Sequence, residues 1–274
     1  MPILLIIITL LFLFLCYLFL LFPRFTKKEE ILSLTQKDFA HRGLFSQEKL
    51  IPENSMSAFR EALKYSLGIE LDVHLTKDQQ VVVFHDDTLL RMCNVNHSIE
   101  ELTFAELQKL YLQNTSERIP LLTDVLSYIH GRVPLLIEVK LPTKNTKLCE
   151  ILYSQLNSYP GVYLIQSFNT MVLYWFRRHA PEVLRGQLSS NLMKDRKNNY
   201  YFLCVLSRFL LFNVFGRPDF ISYKLKDAQN ISLFLLQKLL KIPIAVWTLR
   251  TKKAYYYGKT HYDICIFENF QENY

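Results

Sequence analysis

Hydrophobic and polar residues divide the chain into an apolar run, a polar stretch and a long alternation of strand-like and helix-like segments. From Ile3 to Phe22 the residues are apolar except for Thr9, Cys16 and Tyr17, and none is charged. A helix of about 20 such residues crosses the hydrocarbon core of a bilayer. Because no basic region precedes this run and no small-residue cleavage site follows it, the sequence predicts an uncleaved transmembrane anchor over residues 1–22.

Residues 23–37 are polar and charged, which predicts a linker, and the alternation begins after them. Strand followed by helix, repeated along a chain, is typical of parallel pairing with crossover helices. The predicted strands cover Asp38–Ala40, Ile69–Leu75, Val81–Phe84, Leu135–Val139, Val162–Ile165, Leu184–Leu188, Phe220–Ser222, Ile244–Trp247 and Ile264–Phe267. The predicted helices include Ser55–Ser66, Thr123–His130, Lys147–Ser158, Thr170–Arg178 and Ala228–Leu240.

We interpret Val81–Phe84 as a short extension beside the second strand, which leaves eight barrel strands. Residues 38–274 have the size of one large domain, close to the ~250 residues of a (β/α)₈ barrel. The predicted fold is therefore α/β, a (β/α)₈ TIM barrel over residues 38–274 that follows one amino-terminal transmembrane helix.

Two segments depart from this alternation. Asp87–Ile119 is predicted to be an excursion at the active-site end of the barrel. Tyr200–Phe215 is strongly apolar but is interrupted by polar residues. It predicts either an outer barrel helix with a buried face or a hydrophobic lip that rests on the membrane.

Charge and cysteine content narrow the choice of partners. The net charge is +7, and residues 183–274 alone carry +8, so this third of the chain either faces anionic lipid or phosphate or is a solvated basic surface. Neither an aromatic-rich RNA motif nor zinc-finger spacing supports nucleic-acid binding. The five cysteines are scattered, which favours a reducing compartment and excludes a dense disulfide framework.

Candidate chemistry lies at the ends of predicted strands, where barrel enzymes place their catalytic groups. His41 follows the first strand, Glu70 and Asp72 lie on the second, and Glu138 ends the third. Residues two apart on a strand point the same way, so Glu70 and Asp72 share a face that Leu71 does not. Three converging carboxylates repel one another unless a cation lies among them, and an oxygen-liking ion such as Ca²⁺ or Mg²⁺ fits that role.

A second histidine, His85, follows the short extension and gives a His41/His85 pair. Hydrolysis of a phosphodiester needs one group to take a proton from the nucleophile and another to give one to the leaving alkoxide. Histidine suits both roles because its pKa lies near neutrality. Arg42 and Lys140 are candidates to neutralise the phosphate oxygens.

These residues belong to a longer series of motifs that resembles the glycerophosphodiester phosphodiesterase family in content and order. The motifs are His41-Arg42-Gly43, Pro52-Glu53-Asn54-Ser55 with Ala58-Phe59, Ile69-Glu70-Leu71-Asp72-Val73, Leu75-Thr76-Lys77-Asp78, Val83-Phe84-His85-Asp86, Glu138-Val139-Lys140, Gln166-Ser167-Phe168 and Trp247-Thr248. The match runs from about residue 39 to 270, and the part from His41 to Asp86 is the most specific.

The resemblance implies a (β/α)₈ barrel that hydrolyses glycerophosphodiesters to an alcohol and glycerol 3-phosphate. It implies metal ligation by Glu70, Asp72 and Glu138, with His41 and His85 as the acid/base pair. By the same resemblance, Arg42 and Lys140 contact the substrate phosphate, and Glu53 lies behind the residues that contact substrate. Asn54 precedes the predicted helix Ser55–Ser66, a position that predicts a helix cap.

Two segments depart from the family pattern, and they bear on substrate preference more than on the reaction. The family often has Trp-Thr-Val-Asn where this chain has Trp247-Thr248-Leu249-Arg250. Its glycine-rich last strand ending in Thr-Asp is here Tyr262–Asn269.

Two other functions remain open beside the hydrolysis of deacylated diesters. One is lysophospholipase D-type cleavage of membrane lysophospholipids, and the other is a membrane-tethered phospholipid-binding barrel without turnover. A phospholipase C-like barrel also uses two histidines and a metal, but the Gln166-Ser167-Phe168 and Trp247-Thr248 motifs favour the first family. Basic residues just after the anchor predict a single-pass membrane protein with a cytoplasmic catalytic domain, whereas an uncleaved signal anchor would place that domain outside.

Overall fold

The computed structural model describes residues 2–25, 28–32, 34, 37–142, 145–194 and 200–268. Parts of the expected linker and the last residue of the expected carboxyl-terminal motif, Asn269, lie outside these ranges. Within them, the strands are β1 Asp38–Ala40, β2 Gly68–Leu75, β3 Val81–Val83, β4 Leu135–Val139, β5 Tyr163–Ser167, β6 Arg185–Ser189, β7 Phe220–Lys224, β8 Ile244–Leu249 and β9 Ile264–Phe267.

Eight parallel strands close into a barrel in the order β1, β2, β4, β5, β6, β7, β8 and β9, and β9 returns to β1. β3 lies outside the ring and pairs antiparallel with β2, so the predicted extension is confirmed. The register aligns Asp72 with Glu138 and Glu138 with Gln166 across three adjacent strands. This alignment brings their side chains to one level of the barrel interior.

Helices surround the barrel in the described part of the chain. The α-helices are α1 Pro2–Leu21, α2 Lys28–Leu32, α3 Met56–Lys64, α4 Leu90–Cys93, α5 Phe104–Leu107, α6 Leu122–Ile129, α7 Lys147–Leu156, α8 Thr170–His179, α9 Tyr201–Arg208, α10 Asn213–Gly216, α11 Ile231–Phe234 and α12 Lys252–His261. Short 3₁₀ turns cover Ile99–Glu101 and Leu225–Asp227, and a π-helical turn covers Leu235–Leu239. The helix expected over Ala228–Leu240 is present with a later start, because α11 begins after the Asn230 cap and continues directly into the π-helical turn.

Alternation along the strands divides the core into two layers. On β2, Ile69, Leu71 and Val73 point outward and pack against the surrounding helices. A smaller cluster fills the barrel interior, where Phe39 and Phe220 lie among aliphatic side chains. Gly68 and Gly186 make room for these two rings, because a Cβ at either position would lie within 2.8 Å of ring carbon.

The segment expected to be a linker takes part in this interior cluster. Ile31 in α2 and Leu34 are buried against Phe39 and its neighbours, so they close the amino-terminal end of the barrel. Burying such aliphatic side chains contributes roughly 1.5–3 kcal/mol each. The segment is therefore packed onto the barrel at these two residues.

Helix α1 is 20 residues long and is long and apolar enough to cross a membrane by length and composition. Residues 2–16 are exposed along its length, whereas Leu21 is fully buried. The Asn213 side chain donates to the Leu21 carbonyl oxygen at 3.4 Å. Arg24 then forms an ion pair with the buried carboxylate of Asp219, with its Nη2 2.6 Å from Oδ2. The chain leaving α1 is therefore attached to the wall of the barrel.

The two irregular segments expected from the sequence have different outcomes. The excursion after β3 is confirmed: α4, the 3₁₀ turn and α5 enclose a small core of their own beneath β3. The apolar stretch Tyr200–Phe215 does not form one outer helix with a buried face, which is the first of its two predicted structures. It is divided instead between two short helices, α9 and α10. None of the side chains of α9 is fully buried, and Tyr201 and Phe202 are more than half exposed.

Candidate active site

Three carboxylates meet inside the barrel at the carboxyl ends of β2 and β4. Oxygen atoms of Glu70, Asp72 and Glu138 all lie within 4.8 Å of one another, and all three side chains are buried. The sequence predicted this convergence from their strand positions. Gln166 on β5 donates from Nε2 to Glu70 at 3.4 Å, while its Oε1 is buried without a hydrogen-bond partner.

Burial and the surrounding charges shift the pKa values of these three carboxyl groups in opposite directions. Burial, together with the negative charges of Asp72 and Glu138, raises the pKa of Glu70 well above its usual value. Burial also raises the pKa of Glu138. Burial opposes ionisation of Asp72 as well, but the charge of Lys140 and those of other cationic neighbours hold its pKa well below the usual range. The neighbouring cations thus favour ionisation of Asp72, whereas ionisation of Glu70 and Glu138 is opposed.

Lys140 lies directly beside the carboxylates. Its Nζ is 3.0 Å from Asp72 Oδ1 and 2.5 Å from Glu138 Oε1. Burial alone would lower the pKa of this ammonium, but the two carboxylates raise it above its ordinary value. Lys140 is therefore a permanent positive charge at the rim of the cluster.

Arg42 reaches the same place from the turn after β1. Both Arg42 and Gly43 adopt left-handed backbone angles, with φ of 57° and 75°. A Cβ on Gly43 would lie 2.9 Å from Ala58, so only glycine fits this turn without displacement. The turn points the Arg42 backbone N–H at Glu70 Oε2, which accepts at 2.9 Å, and sends the guanidinium to Glu53 Oε1 at 2.8 Å.

Asn54 holds Asp72 in place and does not cap the helix that follows. Its Nδ2 donates to Asp72 Oδ2 at 2.9 Å. The residue that caps α3 is Ser55, whose hydroxyl accepts from the Ala58 backbone N–H. The capping role expected for Asn54 is wrong, because its left-handed backbone (φ 54°) turns the amide inward toward β2.

His41 directly follows β1, and its ring is held by a residue that directly follows the last strand, β9. Its Nδ1 lies 3.0 Å from Glu268 Oε2, just after β9, and Arg250 donates to both oxygens of that carboxylate at 3.1 Å. Burial is the main reason that the pKa of His41 is lowered. Burial would raise the pKa of Glu268, but the hydrogen bonds from His41 and Arg250 lower it to about 2.

His85 follows β3 at the same rim. Its Nδ1 lies 2.6 Å from Asp86 Oδ1, and Arg91 donates to the other oxygen of that carboxylate. Arg91 also reaches Glu53, so one network joins His85 to the Arg42 side of the site. Since both histidines engage Nδ1 with a carboxylate, Nε2 is the ring nitrogen left for the pocket.

A cavity of about 80 Å³ joins these groups. It is lined by both histidines, Arg42, Lys140, Glu70 and Glu138, together with Gln166, Phe168, Leu188, Trp247 and Ile266. Asp72 lies beneath this lining. Glu53 is outside it and contacts Arg42 and Arg91 instead. The structure therefore brings together all eight residues that the sequence singled out.

Sequence reasoning missed the carboxylates that hold the two histidines. Glu268 and Arg250 fall in the two segments that depart from the family pattern, and they face each other because β8 and β9 are neighbours. The signal available in the sequence was a charged residue directly after each of these strands. For His85, the signal was the acidic residue that directly follows it, Asp86.

Comparison with known proteins agrees with this geometry. Residues 41–269 match the glycerophosphoryl diester phosphodiesterase family. The Bacillus subtilis protein YhdW is 36% identical over 172 residues, which cover 57% of this chain and 70% of that protein. Human lysophospholipase D is 38% identical over 142 residues, or 47% of this chain and 42% of that enzyme. An Oleispira antarctica phosphodiesterase, solved in complex with the product sn-glycerol-3-phosphate, shares the fold with a TM-score of 0.66, at 21% identity, over 84% of this chain and 92% of its own.

Proposed function

The chain belongs to the glycerophosphoryl diester phosphodiesterase family, and we propose that its active site is the cluster of carboxylates, histidines and cationic side chains at the carboxyl ends of the barrel strands. The family reaction is the hydrolysis of glycerophosphodiesters to an alcohol and glycerol 3-phosphate. The observation that carries the assignment to these residues is the buried triad Glu70, Asp72 and Glu138, within 4.8 Å, beside two histidines that each engage Nδ1.

The carboxylate triad fits a divalent cation. All its donors are oxygens, the donor type that Ca²⁺ and Mg²⁺ prefer, and the unpaired Oε1 of Gln166 adds a neutral oxygen at the same level. Glu70, Asp72 and Glu138 would hold the ion. When bound, it supplies positive charge against the phosphate oxygens and the attacking oxygen.

Arg42 and Lys140 bind the phosphate in this proposal. Both lie at the rim of the pocket, and both are already held by carboxylates of the site. Cations fixed before the substrate arrives stabilise charge that develops in the transition state without needing to reorganise. Glu53 positions Arg42 and does not contact substrate.

The two histidines move the protons. One Nε2 accepts the proton of the attacking oxygen, and the other donates to the leaving alcohol oxygen. The lowered pKa of His41 favours the accepting role, because a neutral imidazole is needed there. Glu268 and Asp86 position the rings and stabilise each imidazolium when it forms.

Helix α1 is proposed as the membrane anchor, with the barrel on the cytoplasmic side. Basic residues Arg24, Lys27 and Lys28 directly follow the helix. Cytoplasmic flanks carry the excess of Lys and Arg. The anchored enzyme then meets substrates at or near the inner membrane surface.

The direct test is turnover by the full chain in lipid nanodiscs. Glycerophosphocholine is supplied with Ca²⁺ or Mg²⁺, and glycerol 3-phosphate and choline are both measured. Equal release of the two products, lost in chelator and restored by the ion, is expected. Release of a different product pair, or full activity in chelator, would contradict the proposed chemistry.

A further inference from the structure

A second and larger cavity opens beside the catalytic pocket, as a groove between α8 and the segment 200–216. It has a volume of about 590 Å³, within the range of small-molecule sites. Most of its wall is apolar, and none of the described residues that line it is charged. The side chains that form most of this wall are Phe168, Met171, Tyr174, Leu203, Phe212 and Phe215.

The groove adjoins the catalytic pocket across one side chain. Phe168, which directly follows β5, lines both cavities. Its ring packs edge-to-face against Trp247 of the catalytic pocket, with centroids 5.9 Å apart. A substrate with its phosphate beside Lys140 would pass this ring to place an apolar portion in the groove.

The path of α1 shows which end of the barrel faces the anchor. Tyr17 shares a 2.7 Å hydrogen bond with Ser232, which lies beyond the carboxyl end of β7, whereas Arg24 pairs with Asp219, just before the amino end of β7. Between these contacts the chain runs from the catalytic end of the barrel to the opposite end. Residues 2–16 continue the helix the other way, past the catalytic end, for about 22 Å at 1.5 Å per residue.

Apolar side chains are exposed at the same end. Tyr201 and Phe202 lie at the start of α9, and Ile231 and Phe234 lie on α11 beside the anchor contact; all four are more than half exposed. Clustered apolar exposure of this kind marks surfaces that bind membranes or partners. With α1 leaving from this end, the catalytic mouth and the groove both open toward the bilayer.

We propose that the groove binds the acyl chain of a monoacyl glycerophosphodiester, so that the preferred substrates are lysophospholipids taken from the membrane and not fully deacylated diesters. The proposal rests on the function assigned above and names its substrate class. The chemistry is unchanged. Water adds its oxygen to phosphorus, the bond from phosphorus to the headgroup oxygen breaks, and the alcohol leaves with the proton, so the second product is an acylglycerol phosphate.

The length of the substrate's acyl chain provides a test that needs no protein variant. The full chain in nanodiscs is assayed with lysophosphatidylcholines of increasing acyl length, kept below micelle formation, and with glycerophosphocholine. Each methylene buried in the groove contributes up to about 0.8 kcal/mol, which is about fourfold in kcat/KM. We expect kcat/KM to rise with each added methylene before levelling off. A flat series, or a preference for glycerophosphocholine, would overturn the proposal while leaving the diesterase intact.

Two tryptophan substitutions locate the effect. Cys204→Trp fills the groove, whereas Ser154→Trp adds similar bulk at an exposed position on α7, outside it. We expect Cys204→Trp to lower the ratio of kcat/KM for lysophosphatidylcholine over glycerophosphocholine at least tenfold, and Ser154→Trp to leave that ratio within twofold. An unchanged ratio in Cys204→Trp would overturn the acyl site. Absence of wild-type turnover on both substrates with metal present would instead overturn the proposed function itself.

Discussion

The contact between His41 and Glu268 makes the sharpest prediction about how the site works. Glu268→Gln keeps the size of the side chain and removes its charge. Both side chains are only about a tenth exposed, so water screens their 3.0 Å contact weakly. A hydrogen bond to a charged group contributes about 1.5–3 kcal/mol, which corresponds to a roughly 10- to 150-fold decrease in kcat. We expect a loss in that range with a much smaller change in KM.

The pH profile separates positioning from a structural role. Glu268, with a pKa of about 2, stays ionised throughout an assay from pH 5 to 9 and adds no limb of its own. Burial lowers the pKa of His41 and the bond to Glu268 raises it. The wild-type acid limb of kcat/KM should therefore lie below the ordinary histidine value of about 6.5, because the base must be neutral to act. In Glu268→Gln this limb should move to still lower pH.

Two matched variants accompany this measurement. Arg250→Gln removes the exposed partner that holds Glu268, and exposed ion pairs contribute about 0.2–1 kcal/mol, so kcat should fall no more than about fivefold. Glu182→Gln alters an exposed carboxylate that accepts only from the Tyr153 hydroxyl among the contacts described for it, and kcat should not change. The reasoning is refuted if Glu268→Gln keeps kcat within twofold of wild type and its acid limb stays in place.

The remaining predictions concern the metal, the histidine pair and the topology. Glu70→Gln, Asp72→Asn and Glu138→Gln should each raise the Ca²⁺ or Mg²⁺ concentration needed for half-maximal activity, measured by titration after chelation; wild-type titration curves in all three would exclude the triad as the site. His41→Ala and His85→Ala should each lower kcat by on the order of a hundredfold, and the double variant should lose much less than the product of the two, because the pair acts as a unit; near-normal kcat in either single variant removes that histidine from the mechanism. A fluorescent reporter at the carboxyl terminus should mature in the cytoplasm, while an export-dependent phosphatase at the same place should stay inactive; the reverse pattern places the barrel outside.

The barrel could be predicted from the sequence because its strands are buried on both faces. Such strands are short, nearly continuous apolar runs, and Leu135–Val139 and Ile264–Phe267 were predicted with the bounds that the structure has. The carboxylates stand out because a buried charged residue needs a partner, and three carboxylates that converge need a cation. Alternation then assigned Glu70 and Asp72 to the interior, away from Leu71.

The contact that holds His41 could not be predicted in the same way. His41 and Glu268 are 227 positions apart, and they meet only because β9 closes the barrel onto β1. A single sequence gives the order of the strands but not which charged residue after one strand faces which residue after another. The start of α11 at Ile231 was missed for a related reason, since it depends on Asn230, whose side chain caps this helix and also bonds to the Arg208 carbonyl oxygen and to Tyr223.

The packing of residues 21–34 on the amino-terminal end of the barrel has a consequence for the proposed encounter with a lipid. A domain on a flexible tether samples many orientations, and each productive encounter must select the few in which its mouth faces the surface. Here Leu21, Arg24, Ile31 and Leu34 are all buried against the barrel or paired with it, so the chain after α1 is fixed to the barrel at these four residues. The orientational entropy is lost once, during folding, and not at every collision with substrate. With α1 as the proposed membrane anchor, this packing would hold the barrel at a set angle to the bilayer and would reduce its search for substrate to lateral diffusion in the plane of the membrane.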